Sequence, residues 1–247
     1  MKLRADQLAV QQGLCASRAL AQRMIEDGLL LLPDGAGIRK PGQQVDSAVR
    51  LVLAAPPQYV SRGATKLLAA LEAFQPEISG RVALDLGAST GGFTDVLLQH
   101  GAAKVFAVDV GHGQLHEKLR QDPRVVSLEG VNARELSKEL VPEPIDLLVA
   151  DVSFISLTKV LPPCAPLLKP MAWAIVLVKP QFEAGRQNIG SGGVVRDEVV
   201  RKRCVEQIVD FAADKLRWSH IGHLPSPILG PNGNQEFLAA FRTAGTI

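Results

Sequence analysis

The sequence is poor in cysteine and has no clustered metal ligands, and these shortages exclude several classes of protein. Its 247 residues contain only three cysteines, Cys15, Cys164 and Cys204, which are odd in number and widely spaced. This spacing fits neither a disulfide framework nor a zinc site, so we expect reduced thiols in a protein core. The five histidines form no cluster with cysteine or carboxylate, and the sequence therefore predicts no metal site.

The sequence also lacks a strong charge imbalance and long apolar runs. Lysine and arginine total 27 against 25 aspartates and glutamates, so a nucleic-acid binder of this composition needs its basic residues on one face. The N-terminus has no apolar core of a signal peptide, and the longest apolar run, residues 171–178, is too short to span a bilayer. Because 47% of the residues are hydrophobic, we expect a packed, soluble, cytoplasmic protein, with neither a membrane nor a protein partner implied.

Two adjacent prolines, Pro56 and Pro57, divide the chain into two parts. Proline cannot continue a helix or a central strand, so we place a domain boundary between residues 55 and 56. Residues 1–55 predict a small α+β domain with two helices, of which the second follows a Ser17 cap. Short strands are predicted at residues 29–32 and 49–53.

Residues 56–247 alternate between apolar strands and helices. Strands that are buried on both faces lose their polar alternation, which is typical of a mostly parallel sheet between helices. The predicted strands are residues 82–86, 105–108, 125–128, 145–150, 172–178, 220–223 and 235–241. The predicted helices are residues 93–100, 115–121 and 197–216. The second domain is therefore predicted to be an α/β domain with a seven-stranded, mostly parallel sheet.

A glycine-rich turn follows the first predicted strand of this sheet and opens the next helix. Gly87, Gly91 and Gly92 allow the backbone to approach a ligand at the edge where open α/β sheets bind them. Ser89 stands where a dinucleotide-binding fingerprint has its second glycine, which argues against NAD and favours S-adenosylmethionine. Asp109 ends the second strand and is predicted to accept hydrogen bonds from ribose hydroxyls. The alternative is a tight turn that binds nothing.

Two lysines and two carboxylates are predicted at the same edge of the sheet. Asp151 and Lys179 each follow a strand, Lys66 precedes the first strand, and Glu236 opens the last apolar segment. A sugar hydroxyl is a poor acid and a poor nucleophile, so a reaction at its oxygen needs a base. Burial and a like-charged neighbour favour the neutral amine of a lysine. We therefore predict that Lys179 acts as the base beside Lys66.

Each of these four residues also has an ordinary structural explanation. Lys66 fits a surface lysine that contacts phosphate. Asp151 and Lys179 fit an ion pair at the ends of two strands, and Glu236 fits an exposed glutamate at a sheet edge.

Taken together, these motifs resemble the TlyA-type ribosomal RNA methyltransferases, also called the hemolysin A family. The larger part of the chain is similar to the FtsJ/RrmJ ribose 2′-O-methyltransferases. The matching segments are residues 59–67, 85–95, 151–156, 178–183 and 232–237. The resemblance implies a Rossmann-like class I methyltransferase fold that binds S-adenosylmethionine and methylates a ribose 2′-hydroxyl, of a cytidine, in ribosomal RNA or ribosomal subunits.

The resemblance also implies roles for individual residues. The implied catalytic tetrad is Lys66, Asp151, Lys179 and Glu236. The implied cofactor-binding residues are Asp85, Gly87, Ser89, Thr90, Gly91, Gly92, Phe93, Asp109, Asn132 and Ala133. The N-terminal part resembles the RNA-binding domain named after ribosomal small-subunit protein four. The candidate RNA contacts are Arg4, Arg18, Arg23, Lys40 and Arg62.

Two other functions are compatible with the sequence. A non-catalytic RNA-binding or ribosome-assembly protein would have the same N-terminal domain but no need of the tetrad. A membrane-lysing protein is prompted only by the family's second name, because we find no exposed apolar helix or hairpin in the sequence.

Overall fold

The computed structural model describes residues 1–26, 28–54 and 58–245, without the side chains of Arg23 and Glu26. The chain divides into two compact units, Met1–Gln58 and Tyr59–Ile247. The boundary that the sequence predicts, between residues 55 and 56, lies outside the described residues.

The first unit is a small α+β fold around its own apolar core. Its elements are β1 (Lys2–Arg4), α1 (Ala5–Gln11), α2 (Arg18–Glu26), β2 (Leu30–Leu31), β3 (Gln44–Asp46) and β4 (Val52–Leu53). The two strand pairs, β1 with β3 and β2 with β4, are antiparallel. Ser17 caps α2 as predicted, since its Oγ accepts a hydrogen bond from Leu20 N at 3.2 Å. The sequence missed β1 and β3, because three residues are too few to show an alternating pattern.

The second unit contains the seven-stranded, mostly parallel sheet that the sequence predicts. Its strands are β5 (Val82–Leu86), β6 (Lys104–Asp109), β7 (Val125–Glu129), β8 (Ile145–Ala150), β9 (Leu168–Val178), β10 (Ser219–Pro225) and β11 (Phe237–Arg242). Their order across the sheet is β10-β11-β9-β8-β5-β6-β7. Strand β11 runs antiparallel to both of its neighbours, β9 and β10, and the other neighbouring strands pair in parallel. The α/β fold class is thereby confirmed.

Helices cover both faces of this sheet. They are α3 (Ala64–Phe74), α4 (Gly92–Gln99), α5 (Glu117–Arg120), α6 (Leu157–Cys164), α7 (Pro180–Glu183) and α8 (Glu198–Leu216). The start of α8 follows from its cap, because the Asp197 carboxylate accepts a hydrogen bond from Val199 N at 2.8 Å. The sequence missed α3, which no side chain caps at Gly63 and which ends at a left-handed Gln75 instead of a glycine.

The sheet separates two apolar layers. Neighbouring residues of one strand, such as Leu147 and Leu148 in β8, pack into opposite layers. This burial on both faces explains why the strands lack polar alternation. The cysteines are free thiols; Cys164 and Cys204 are buried in the core, and Cys15 is half-buried and packs against the core of the first unit. Within the described residues, no helix combines the length and the apolar character needed to cross a membrane.

Candidate active site

Three parallel strands bring the glycine-rich turn and two charged residues to one edge of the sheet. Strand β8 lies between β5 and β9, and all three run in the same direction. The residues that follow them are Gly87, Asp151 and Lys179. Gly87 has a left-handed φ of 77°, and a Cβ atom there would lie 2.6 Å from the Asp151 carbonyl oxygen. The turn therefore packs directly against the backbone of Asp151, and only glycine fits at this position.

The four residues that the sequence singled out form one continuous ionic network. Lys66 Nζ lies 2.8 Å from Glu236 Oε2 and 3.4 Å from Asp151 Oδ2. Lys179 Nζ lies 2.6 Å from Asp151 Oδ1. One carboxylate thus stands between two ammonium groups, while the second carboxylate holds Lys66 from the other side. Each charged group in this mostly buried cluster therefore has a partner of opposite charge.

Lys66 and Glu236 reach this edge from elements outside the parallel strands. Lys66 lies in the first turn of α3, and Glu236 immediately precedes β11. Glu236 is fully buried, which rules out the exposed sheet-edge glutamate that the sequence left open. Lys66 is buried as well, so it is not a surface lysine.

Two neighbours of the network were not singled out from the sequence. Ser153 Oγ accepts a hydrogen bond from Lys179 Nζ at 2.7 Å. Gln181 Nε2 donates to Glu236 Oε1 at 2.9 Å. Both lie inside the segments that carry the family resemblance, 151–156 and 178–183, and that position was the only signal available.

Asp85 is a buried carboxylic acid beside the turn. Thr94 Oγ1 donates to its Oδ2 at 2.6 Å, and its Oδ1 has no hydrogen-bond partner. Burial raises the pKa of Asp85 to about 7, and the nearby charge of Asp151 acts in the same direction. A buried acceptor without a donor marks a position where a ligand donor would bind.

The glycine-rich turn is held in shape by the strand that follows it. Ser89, with a left-handed φ of 49°, donates its backbone N–H to Asp109 Oδ2 at 2.8 Å. Asp109 Oδ1 accepts from Gly111 N, also at 2.8 Å. Asp109 therefore fixes the turn in this structure, a role that the sequence did not predict. Gly91 has a φ of 97°, and a Cβ atom there would lie 2.1 Å from Leu119 Cδ1.

The other residues implied as cofactor contacts differ in how they are exposed. Thr90 is exposed next to Ser89 at the tip of the turn, and Gly92 is buried as the first residue of α4. The Phe93 side chain is packed in the core, so only its backbone is placed to meet a ligand at the turn. Asn132 accepts a hydrogen bond from Arg134 N at 3.1 Å and caps a short 3-10 turn that begins at the buried Ala133.

An exposed aromatic side chain stands close to the network. Phe154 is 90% exposed and has a left-handed φ of 65°, which is unusual for a bulky residue. Its ring lies 5.2 Å from that of Phe182, and Lys179 Nζ lies 5.9 Å from the Phe182 ring centre. Arg134 and Lys159 line the same cavity, which has a volume of about 450 Å³. Apolar rings beside basic side chains form a surface suited to a nucleotide.

The N-terminal unit gathers basic side chains around a buried carboxylate. Arg4 and Arg18 lie 2.9 Å and 3.2 Å from Asp6 Oδ2, and Gln22 donates to the same oxygen at 3.1 Å. The Arg4 guanidinium holds the pKa of Asp6 well below its usual range. Arg4 also lies against Gly42, where a Cβ atom would be 3.1 Å from its Nη1.

The remaining candidate RNA contacts are placed as follows. Lys40 is exposed, two residues before the glycine that Arg4 touches. Arg62 is exposed in the second unit, four residues before Lys66. The side chain of Arg23 lies outside the described residues.

Metal chemistry has no evident ligand set in the part of the chain that the structure describes. No group of three or more histidine, cysteine, aspartate or glutamate side chains is arranged there to hold an ion.

Comparison with known proteins places this geometry in a family. The model of the FtsJ-like methyltransferases matches residues 59–243, the whole of the sheet and the ionic network included.

This chain belongs to the FtsJ-like methyltransferase family.

Relatives of this methyltransferase cover nearly its full length. It is 46% identical to the 16S/23S rRNA (cytidine-2′-O)-methyltransferase TlyA of Mycobacterium tuberculosis, over 98% of this chain and 90% of the relative. It is 38% identical to Hemolysin A of Brachyspira hyodysenteriae, over 97% of this chain and 99% of the relative. A solved structure from Streptococcus thermophilus, which carries the name hemolysin, aligns with a TM-score of 0.77 at 43% identity and covers 98% of this chain and 89% of the other. The resemblance inferred from the motifs is confirmed.

Proposed function

We propose that this protein transfers a methyl group from S-adenosylmethionine to the 2′-hydroxyl of a cytidine ribose in ribosomal RNA, in the cytoplasm. The observation that carries this proposal is the network of Lys66, Asp151, Lys179 and Glu236 beside a glycine-rich turn. The names of the relatives point to the same reaction and to ribosomal RNA as the substrate.

The turn and its surroundings fit S-adenosylmethionine. At Gly87 a side chain would clash with the backbone of Asp151, and at Gly91 it would clash with the side chain of Leu119. Asp85 Oδ1 is a buried acceptor without a protein donor, which suits a cationic ligand. Ser89, Thr90 and the backbone at the start of α4 would hold the rest of the donor, which supplies an electrophilic methyl group on a sulfonium sulfur.

Within the network, Lys179 serves as the base for the 2′-hydroxyl. The ribose O–H bond breaks as its proton moves to the neutral amine of Lys179, and the oxygen becomes nucleophilic. Asp151 orients this amine through its 2.6 Å contact. Lys66 lies on the other side of Asp151 and pairs with its second oxygen, and Glu236 keeps Lys66 in place.

The surfaces around the network and on the N-terminal unit suit RNA. The base edges of an A-form RNA helix are hidden in a deep groove, so RNA-binding proteins recognise phosphates and unstacked bases. Phe154 offers an exposed ring beside the network on which a base can stack. Arg4, Arg18 and Lys40 offer positive charges to phosphates.

The test is to incubate the protein with ribosomal subunits and methyl-labelled S-adenosylmethionine and to identify the labelled nucleosides by mass spectrometry. We expect 2′-O-methylcytidine from the wild-type protein and none from Lys179→Arg. Label on a base would contradict the ribose chemistry. Binding of subunits without any labelling would favour the RNA-binding alternative, and vesicle leakage without labelling would favour the membrane-lysing one.

A further inference from the structure

Among the described residues, two side chains hydrogen-bond to the Glu236 carboxylate. Its Oε2 pairs with Lys66 Nζ at 2.8 Å, and its Oε1 accepts from Gln181 Nε2 at 2.9 Å. Both donors are buried, and so is Glu236 itself. Gly230 also packs against this carboxylate, since a Cβ atom there would lie 2.3 Å from Oε1. The direction of the carboxylate therefore depends on one ammonium group, one amide and this backbone contact.

The chemistry of the two partners determines how the Gln181 amide is turned. An ionised carboxylate only accepts hydrogen bonds, so the amide nitrogen must face Glu236 and the amide oxygen must point away. That oxygen, Oε1, is buried and has no hydrogen-bond partner. A buried acceptor left in this state destabilises the fold. In the described residues of the second unit, two buried carbonyl-type oxygens are in this state, those of Asp85 and Gln181, and both lie at the candidate active site.

We infer that Gln181 is a positioning residue for the methyl transfer: its amide fixes Glu236, and Glu236 fixes the ammonium of Lys66. This inference rests on the proposed function. Lys66 Nζ is shared between Glu236 at 2.8 Å and Asp151 at 3.4 Å. Without the amide, Glu236 turns, Lys66 moves with it, and Asp151 no longer holds Lys179 in the same direction.

Two substitutions separate this role from simple packing. Gln181→Met keeps the size of the side chain and removes the donor, so we expect the single-turnover rate to fall about tenfold to a hundredfold. Gln181→Glu places a second carboxyl group against Glu236, and the two must then share one proton. While that proton is present it replaces the amide N–H; when it is lost, the two charges repel.

The decisive readout is the pH profile of the rate relative to wild type. The charged groups around Glu236 are Lys66 from α3 and, beyond it, Asp151 and Lys179 at the ends of β8 and β9. For Gln181→Glu, we expect the relative rate to fall as the pH rises from about 6 to about 9, because the shared proton is lost. For Gln181→Met, the relative rate should stay low and flat across the same range.

Gln121→Met is the matched control, because Gln121 also donates to a glutamate, Glu117, but at an exposed position. It should methylate like the wild type. Affinity for S-adenosylmethionine, measured by calorimetry, should be the same in all variants. A wild-type rate for Gln181→Met, a flat profile for Gln181→Glu, or a parallel loss of cofactor affinity would each overturn the inference. A wild-type protein that methylates no RNA would instead refute the proposed function.

Discussion

The ionic network of the second unit and the basic cluster of the first share one arrangement but differ in burial. In each, one aspartate lies between two cations: Asp151 between Lys66 and Lys179, and Asp6 between Arg4 and Arg18. The two lysine side chains are 10% and 7% exposed, whereas the two arginine side chains are 40% and 52% exposed.

This difference in burial matches the difference between the two cations. Lysine can lose its proton when it is buried beside a like charge, and it can then act as a base. Arginine keeps its charge under all ordinary conditions and presents a planar fork that suits phosphate. We therefore expect this aspartate-centred arrangement to serve proton transfer where the lysines are buried, and anion binding where the arginines face solvent.

The claim that the buried cation must be a lysine would be wrong if an arginine could replace Lys179 without loss of activity. Lys179→Arg keeps the positive charge beside Asp151 but removes the amine that takes the proton in the proposed mechanism. We expect a loss of about a thousandfold in the single-turnover rate, within the range known for general bases. Rates are measured with labelled cofactor at saturating subunits. Lys202→Arg, at an exposed lysine that pairs with Glu198 at 2.8 Å, serves as the control for the added guanidinium.

The two buried aspartates Asp85 and Asp6 extend this comparison, because the pKa of Asp85 is raised and the pKa of Asp6 is lowered. Asp85 pairs with no cation among the described residues, so burial raises its pKa to about 7, and the protonated form is favoured in the folded state. Its contribution to stability is fully present below the pKa of the unfolded chain and is lost as the pH rises through about 7. As the pH rises, the wild-type protein should lose free energy of unfolding on the order of 4 kcal/mol through this group, and Asp85→Asn should remove that loss.

The measurement is the free energy of unfolding of Asp85→Asn and wild type between pH 5 and pH 9, without cofactor. The variant should be the more stable at pH 9, and its advantage should shrink towards pH 5. An advantage that does not change with pH would show that Asp85 is not protonated in the fold. The same variant should bind S-adenosylmethionine weakly.

The N-terminal cluster should affect substrate binding and leave the chemistry unchanged. The double substitution Arg4→Gln and Arg18→Gln removes two phosphate contacts, so the KM for subunits should rise about tenfold and depend less on salt. The rate at saturation should stay at the wild-type value. A lower saturating rate with an unchanged KM would place these arginines in the reaction instead.

Asp6 should matter less, because its cations are half-exposed. Asp6→Asn removes the charge that holds both guanidinium groups, and we expect a loss of about 1–2 kcal/mol of stability near neutral pH. Its pKa is lowered by Arg4, so the wild-type contribution is present above the pKa of the unfolded chain and is lost as the pH falls. The difference in the free energy of unfolding between the two proteins should be full near neutral pH and smaller near pH 3, and it should vanish only below the lowered pKa of the folded state. A difference that does not change with pH would contradict this.

The sequence predicts those parts of the site that depend on strand topology. Asp151 and Lys179 follow apolar runs that read as parallel strands, and parallel strands end at one edge. Their proximity follows from the fold alone. The signal for Lys66 and Glu236 is weaker, because α3 was not recognised and β11 runs antiparallel. Their position next to a predicted strand placed them near this edge, and the family resemblance implied their part in the tetrad.

Contacts that depend on packing could not be predicted. Gln181 meets Glu236 only after a turn of α7 places it beside the approach to β11. The left-handed backbone that exposes Phe154 occurs in a residue type that rarely adopts it, so no pattern marks it. Asp6 joins Arg4 and Arg18 across the α1–α2 pair, and nothing in their spacing of two and twelve residues indicates that contact.

The most direct test of this account compares the saturating single-turnover rate of ribose methylation in two variants, Lys179→Arg and the Arg4→Gln, Arg18→Gln double substitution. The account predicts that raising the subunit concentration restores the full rate in the double variant and leaves Lys179→Arg inactive. Substantial 2′-O-methylation by Lys179→Arg at saturation would contradict the claim that the buried lysine is the base.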